Sequence, residues 1–104
     1  MTAQELFASL PERFRADRAG DLNATYLFEL SGDGGGSWTV RVADGALDVA
    51  DGGTPDPDVT VRASADDWMA IVEGRKDPQL AFLTGKLKVK GDLQLALRLR
   101  EVVL

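Results

Sequence analysis

Near its start, the chain has apolar residues at helical spacing. Thr2 and Glu5, which precede them, form a capping-box pair that predicts a helix N-terminus. The apolar residues of this first helix are Leu6, Phe7 and Leu10. Proline breaks a helix interior but is favourable in a first turn, so Pro11 predicts the start of a second helix, which Gly20 ends. The pattern therefore predicts two short helices before the first strand.

From residue 22 onward the apolar period changes to two, which is typical of strands buried on one face. The inward positions of the first predicted strand are Leu22, Ala24, Tyr26, Phe28 and Leu30. The alternation continues over 38–42, and an Asp44-Gly45 turn predicts a hairpin into a third strand over 47–49. A fourth strand is predicted at 59–62, after a loop rich in Gly, Pro and Asp.

Two further helices and a fifth strand follow this sheet. A capping pattern at Ser64 predicts one helix, and Asp77-Pro78 predicts a shorter helix that ends at Gly85. Alternating lysines and apolar residues over 86–90 indicate an edge strand whose charged side discourages association with another sheet. Asp92 then caps a last helix whose apolar surface is wider than one packing contact requires.

The composition excludes several classes of function. The 104 residues predict a single domain over 1–104, and the absence of cysteine and histidine removes thiolate sites and serine-histidine catalysis. The net charge of −5 argues against nucleic acid as a partner, because phosphate-binding domains carry a basic excess. The N-terminal residues lack the pattern of a signal peptide, so we expect a cytoplasmic protein.

Charge is unevenly distributed along the chain. Residues 1–60 contain eleven acidic and four basic residues, whereas 61–104 contain six acidic and eight basic residues. The lysine row of Lys86, Lys88 and Lys90 is a candidate for transient contact with anionic lipid headgroups. The alternative is that these lysines only keep an edge strand soluble. The acidic residues of 48–58 lack the spacing of a calcium loop, so no metal site is predicted.

The order of these elements resembles the sterol carrier protein family over nearly the full chain. The most specific part runs from the helix Asp67-Trp68-Met69-Ala70-Ile71-Val72-Glu73-Gly74 to the Leu-rich helix Leu93 to Leu99. Between them, the family's Pro-Gln-x-Ala-Phe helix, Gly-Lys-Leu strand and Gly-Asp cap stand in unbroken register over Pro78 to Asp92. Trp38-Thr39-Val40 matches the family's second strand.

The resemblance implies an α+β fold, in which a five-stranded, mostly antiparallel sheet carries about five short helices on one face. A hydrophobic tunnel is implied between the sheet and the helices. The implied function is non-catalytic binding and transfer of an elongated apolar ligand, such as a sterol, a fatty acid, an acyl-thioester or a similar lipid. No cofactor is implied. We expect a stand-alone domain that is a monomer or a weak dimer.

Helical spacing places Gln79, Phe82 and Leu83 on one face of the short helix, where an amide beside apolar groups suits a ligand with one polar end. The alternative is that Gln79 faces water and Phe82 is core. Trp38 is either tunnel floor or core alone. Leu93 and Leu97 on the last helix are interpreted as tunnel wall, ahead of ordinary core or a dimer contact.

Two other functions compete with the carrier hypothesis. An enzyme that isomerises steroids would need a buried carboxylate and an oxyanion donor such as Tyr26, but the nearest candidate acid, Glu29, is predicted on the outward face. The other competitor is a ligand-free interaction or dimerisation module that serves a partner enzyme. We therefore predict no catalytic residues.

Overall fold

Five strands form one mixed sheet in the computed structural model, which describes residues 2–103. The strands are β1 (Ala24–Ser31), β2 (Gly36–Ala43), β3 (Ala46–Asp51), β4 (Val59–Ser64) and β5 (Leu87–Gly91). Their spatial order is β3-β2-β1-β4-β5; β1 and β4 are parallel, and the other neighbouring pairs are antiparallel. The predictions of a mostly antiparallel five-stranded sheet and of an edge position for the lysine-bearing strand are therefore confirmed.

The helices pack on one face of this sheet. Within residues 2–103 they are α1 (Ala3–Arg13), α2 (Ala16–Ala19), α3 (Ala65–Val72), α4 (Pro78–Leu83) and α5 (Leu93–Val103). None of these helices is long and apolar enough to cross a bilayer. The α+β fold class predicted from the sequence is confirmed.

The prediction that Pro11 starts a new helix is wrong. Helix α1 continues through Pro11 to Arg13, and α2 is a single turn. A proline this close to a helix end removes one backbone hydrogen bond and crowds one carbonyl. The packing of the apolar face of α1, chiefly against β3, keeps the last turn helical. The buried residues of that face are Ala3, Leu6, Phe7 and Leu10.

The core lies between the sheet and the helices and contains the strand residues that the alternation places inward. Tyr26 and Val40 at its centre are fully buried. The Tyr26 hydroxyl donates a hydrogen bond to the backbone carbonyl of Leu95, 2.7 Å away, and so joins β1 to α5. The Arg98 guanidinium donates to the carbonyls of Arg18 and Ala19 at 3.3 and 3.0 Å, which joins α5 to α2. Helix α5 is thus held along much of its length.

The opposite face of the sheet is partly covered by the loop between β3 and β4. The Thr39 hydroxyl donates to the Gly52 carbonyl at 2.8 Å, and the Thr25 amide donates to the Asp58 carboxylate at 2.8 Å. Leu27 is consequently buried although it lies on the outward face. Asp58, one of the acidic residues of this loop, therefore has a structural role as a loop anchor.

Candidate ligand-binding site

The half of the core beneath α1 is filled by stacked aromatic rings. Trp38 on β2 stacks on Phe7 of α1, with ring centroids 4.6 Å apart and planes inclined by 14°. Phe7 also contacts Phe28 of β1, at a centroid distance of 5.0 Å. Trp38 is only 6% exposed. The structure thus gives Trp38 a core position, with one ring face covered by Phe7, and direct contact between Trp38 and a ligand remains a prediction.

The other half of the helical layer, over β4 and β5, is less tightly closed. Helices α3 and α4 pack on the strands beneath them, α5 packs on β4 and the N-terminal helices, and the three make little contact with one another. Several apolar side chains on this half are only half-buried, in contrast to the closed core beneath α1. They are Ala63, Val89, Trp68, Ile71, Val72, Leu95 and Ala96. We refer to the inward side of β4 and β5 with these residues as the β4–β5 face.

Helix α4 presents most of its apolar residues to solvent. Its only buried side chain is Ala81, whereas Leu80 and Phe82 are exposed and Leu83 is 74% exposed. Gln79 is also exposed. The helix begins at an Asp77 N-cap, whose carboxylate accepts a hydrogen bond from the Gln79 amide at 2.9 Å. The small side chain of Ala81 meets the sheet, so the predicted face of Gln79, Phe82 and Leu83 remains accessible.

Helix α5 divides its apolar residues between the core and solvent. Leu99 and Val102 are buried, while Leu93 is exposed and Leu97 is 59% exposed. Leu93 and Leu97 are one helical turn apart and therefore share a face. Helix α4 ends just before β5 and α5 begins just after it, so Leu83 and Leu93 are close in sequence to the two ends of the edge strand. Leu97 lines a surface groove with Arg18 of α2. Together we call Leu80, Phe82, Leu83, Leu93 and Leu97 the edge apolar set; among the described residues they are the large hydrophobic side chains that are exposed.

Sequence reasoning missed two residues near this region. Leu80 is exposed beside the predicted residues of α4, which the spacing alone did not indicate. Trp68 is predicted only as a residue of the helix 67–74, but its indole Nε1 is buried without a hydrogen-bond partner among residues 2–103. A tryptophan on a half-buried helix carries a donor that needs an acceptor, and this requirement was the available signal.

The basic residues of β5 lie among compensating acids. Lys86 and Lys88 line an open groove of about 550 Å³ that also contains Glu29, Arg62 and Asp67. Arg62 pairs with Glu29 at 2.7 Å. Lys76 pairs with Asp67 at 2.6 Å, and this hydrogen bond, followed by one involving Ser64, lowers the pKa of the Asp67 carboxyl. Lys86, Lys88 and Lys90 themselves are exposed, as the edge-strand prediction required.

The residues considered for steroid isomerisation do not form an acid–base pair. The Tyr26 hydroxyl is buried and donates a hydrogen bond to the Leu95 carbonyl, so it is not free to stabilise an oxyanion. Burial raises the pKa of Tyr26 to about 12. Glu29 lies on the opposite face of the sheet and is paired with Arg62. The arrangement therefore does not support this chemistry.

Comparisons with known proteins agree on one family. Residues 4–103 match the model of the SCP-2 sterol transfer family. The chain is 34% identical over 101 residues to human hydroxysteroid dehydrogenase-like protein 2, an alignment that covers 96% of this chain and 24% of that protein. The chain thus spans about a quarter of the length of the relatives it matches.

Solved structures give the same result for the fold. The sterol carrier protein domain 2 of Helicoverpa armigera superposes with a TM-score of 0.75 at 27% identity, over 93% of this chain and 81% of that one. The sec-alkylsulfatase Pisa1 from Pseudomonas sp. superposes with a TM-score of 0.84 at 23% identity, over 99% of this chain and 16% of that one. The second likeness concerns the fold alone.

Proposed function

Because the chain belongs to the SCP-2 sterol transfer family, we propose that it binds an elongated apolar ligand and transfers it without chemical change. The ligand class is a sterol, a fatty acid, an acyl-thioester or a similar lipid. As a member of this family the chain is a lipid-binding domain, and we propose in addition that its ligand is elongated, binds at the site described below and is transferred.

The observation that carries the proposal is the edge apolar set beside the half-buried β4–β5 face. Covering apolar surface yields about 25 cal/mol per Å², so an aliphatic chain of ordinary length supplies micromolar affinity without any charged group. We propose that the ligand chain lies on the β4–β5 face and that Phe82, Leu83, Leu93 and Leu97 close over it. In this arrangement the ring of Trp38 contacts the ligand from the core side.

Helix α4 is the element that we propose moves to admit the ligand. One buried alanine and one N-cap hold it, so its displacement exposes little additional apolar surface. Gln79 is exposed near the start of α4, and we propose that its amide hydrogen-bonds a polar ligand group at the mouth of the site. Membrane contact through Lys86, Lys88 and Lys90 would bring this mouth close to a lipid source.

Titration of the purified chain with a fluorescent fatty acid tests the proposal. We expect saturable binding at one site with micromolar affinity, and native mass spectrometry of freshly purified protein should show a co-purified lipid mass. L83S and L97S should each weaken binding severalfold. The matched control is A50S, at an exposed position of β3 on the opposite edge of the sheet. If a broad panel of apolar probes changes neither tryptophan emission nor the melting temperature, the proposal fails.

The exposure of Leu83 and Leu97 also favours a second candidate, a ligand-free module that dimerises or binds a partner enzyme. Sedimentation equilibrium separates the two functions. A stable dimer that L83S or L97S dissociates, in protein that carries no lipid mass, would favour the interaction module. A monomer or weak dimer that binds lipid favours the carrier.

A further inference from the structure

The indole N–H of Trp68 is a buried donor with no acceptor among residues 2–103. An indole nitrogen can only donate, and buried donors in folded proteins are nearly always paired because an unpaired one loses its hydration without compensation. The donor lies on α3, in a side chain that is itself only half-buried. Only a hydrogen-bond acceptor from outside residues 2–103 would therefore pair this donor.

The polar groups next to Trp68 are already engaged. The Asp67 carboxylate accepts a hydrogen bond from Lys76 at 2.6 Å, and the Ser64 hydroxyl oxygen accepts one from the Asp67 amide at 3.0 Å. The Trp68 ring packs against Phe28 with centroids 5.3 Å apart. The indole is thus bordered by an aromatic ring on one side, and the Asp67 and Ser64 side chains form their hydrogen bonds with donors other than Trp68.

We propose that the Trp68 N–H donates a hydrogen bond to a neutral oxygen of the bound ligand, a hydroxyl or an ester or thioester carbonyl. This inference rests on the proposed function, because Trp68 belongs to the β4–β5 face on which the ligand chain is placed. A carboxylate is a poorer match, since a buried anion needs an opposite charge and Lys76 is already paired with Asp67. The site consequently selects a neutral amphiphile over a hydrocarbon of equal length.

Competition between 1-decanol and decane tests this selection. Each is titrated against a neutral fluorescent apolar probe, N-phenyl-1-naphthylamine, bound to the full chain. The ratio of the decanol affinity to the decane affinity should fall about three- to tenfold in W68F, the range expected for one lost hydrogen bond. Phenylalanine retains an aromatic ring at the site and removes only the donor and part of the volume.

The matched control is Y26F, which also removes one buried donor, the hydroxyl that is already paired with the Leu95 carbonyl and is not assigned to the ligand. Y26F should keep the wild-type ratio. An unchanged ratio in a W68F protein with wild-type circular dichroism would overturn the inference. Failure of both ligands to bind the wild-type chain would overturn the proposed function itself, and the inference with it.

A second measurement does not depend on whether W68F folds. With 15N-labelled tryptophan, the indole resonance of Trp68 should shift downfield when decanol saturates the site and should shift little with decane. The Trp38 indole N–H is not assigned a hydrogen bond to the ligand, so its resonance should respond alike to decanol and decane. A Trp68 resonance that decanol and decane displace equally contradicts the hydrogen bond.

Discussion

Tyr26 links the central strand to the last helix through one buried hydroxyl, and its ionisation is coupled to the fold. Burial raises its pKa from 10.0 to about 12, because the phenolate is poorly solvated there, and the positive charge of Arg98 opposes the shift. The folded-state pKa is higher than the unfolded one. The stability that Tyr26 contributes is therefore fully present below about pH 10 and is lost as the pH rises through 12.

Alkaline titration checks this coupling directly, because Tyr26 is the only tyrosine in the sequence. We expect the phenolate absorbance to appear with a midpoint near pH 12, together with a loss of near-ultraviolet circular dichroism. Y26F should abolish the absorbance change and make stability fall less steeply above pH 10. A phenolate midpoint near pH 10 in folded protein would contradict the buried hydrogen bond.

At neutral pH the same substitution isolates the hydrogen bond to α5. Y26F leaves the Leu95 carbonyl without this donor, and we expect the free energy of unfolding to fall by about 1–3 kcal/mol in urea denaturation. Decanol affinity should change little, because the hydroxyl is not assigned to the ligand. If Y26F instead abolished ligand binding while remaining folded, Tyr26 would have to contact the ligand.

Gly85, shortly before β5, and Gly91, the last residue of β5, provide a matched pair of residues. Gly91 has φ +108°, and a Cβ there would lie 2.2 Å from the carbonyl oxygen of Asp58, which must then move. Gly85 has φ +78° but nothing within 4 Å of its Cβ position. G85A should cost about 1–2 kcal/mol of backbone strain, and G91A should cost clearly more. Thermal unfolding measures both, and equal losses would argue against the close approach of β4 and β5 at Gly91.

Among the elements, α4 is the helix of six or more residues that should open most easily. It buries one side chain, whereas α1 buries four. Its amide hydrogen bonds include Ala81 to Asp77 and Thr84 to Leu80. We expect these amides to exchange with solvent through local opening, much faster than those of the central strands. Hydrogen exchange followed by NMR tests this, and exchange of α4 only with global unfolding would rule out α4 as the moving element.

The N-caps of α3 and α4 allow a controlled version of the same experiment. D77A removes the carboxylate that accepts from the Gln79 amide and should speed α4 exchange about fivefold, since an N-cap contributes about 1 kcal/mol. S64A removes the corresponding acceptor of α3 and should speed exchange there while leaving α4 unchanged. A D77A effect that spreads over the whole sheet would mean that α4 is part of the global unfolding unit.

Local signals predicted most elements, and tertiary packing decided the rest. The capping residues Ser64 and Asp77 and the alternation of β1 are properties of short segments, and the structure confirms them. Pro11 was misjudged because the packing of α1 on a distant strand outweighs the loss of one hydrogen bond. Spacing identified residues that share a face of α4 but not that Ala81 meets the sheet. Likewise, the alternation of β2 predicts that Trp38 faces inward, but it does not predict that the ring of Phe7 stacks on it.

At the scale of the molecule, the two edge strands of the sheet carry charges of opposite sign. Residues 44–51, with three aspartates and no base, include β3 at one edge, and the lysine row lies at the start of and along β5 at the other. Exposed residues of the edge apolar set on α4, which packs on β5, lie at the same edge. An anionic membrane should therefore attract the β5 edge and repel the β3 edge, which would orient the molecule although its net charge is negative.

Cosedimentation with vesicles tests this orientation. We expect binding to vesicles of phosphatidylcholine with phosphatidylserine, weaker binding to phosphatidylcholine alone, and loss of the difference at high salt. K88Q and K90Q should each reduce binding to the anionic vesicles about fivefold, as expected for about 1 kcal/mol per basic residue near the surface. R41Q, at an exposed base on β2, is the matched control and should bind like the wild type. Equal losses in all three variants would indicate a response to net charge alone, without a preferred edge.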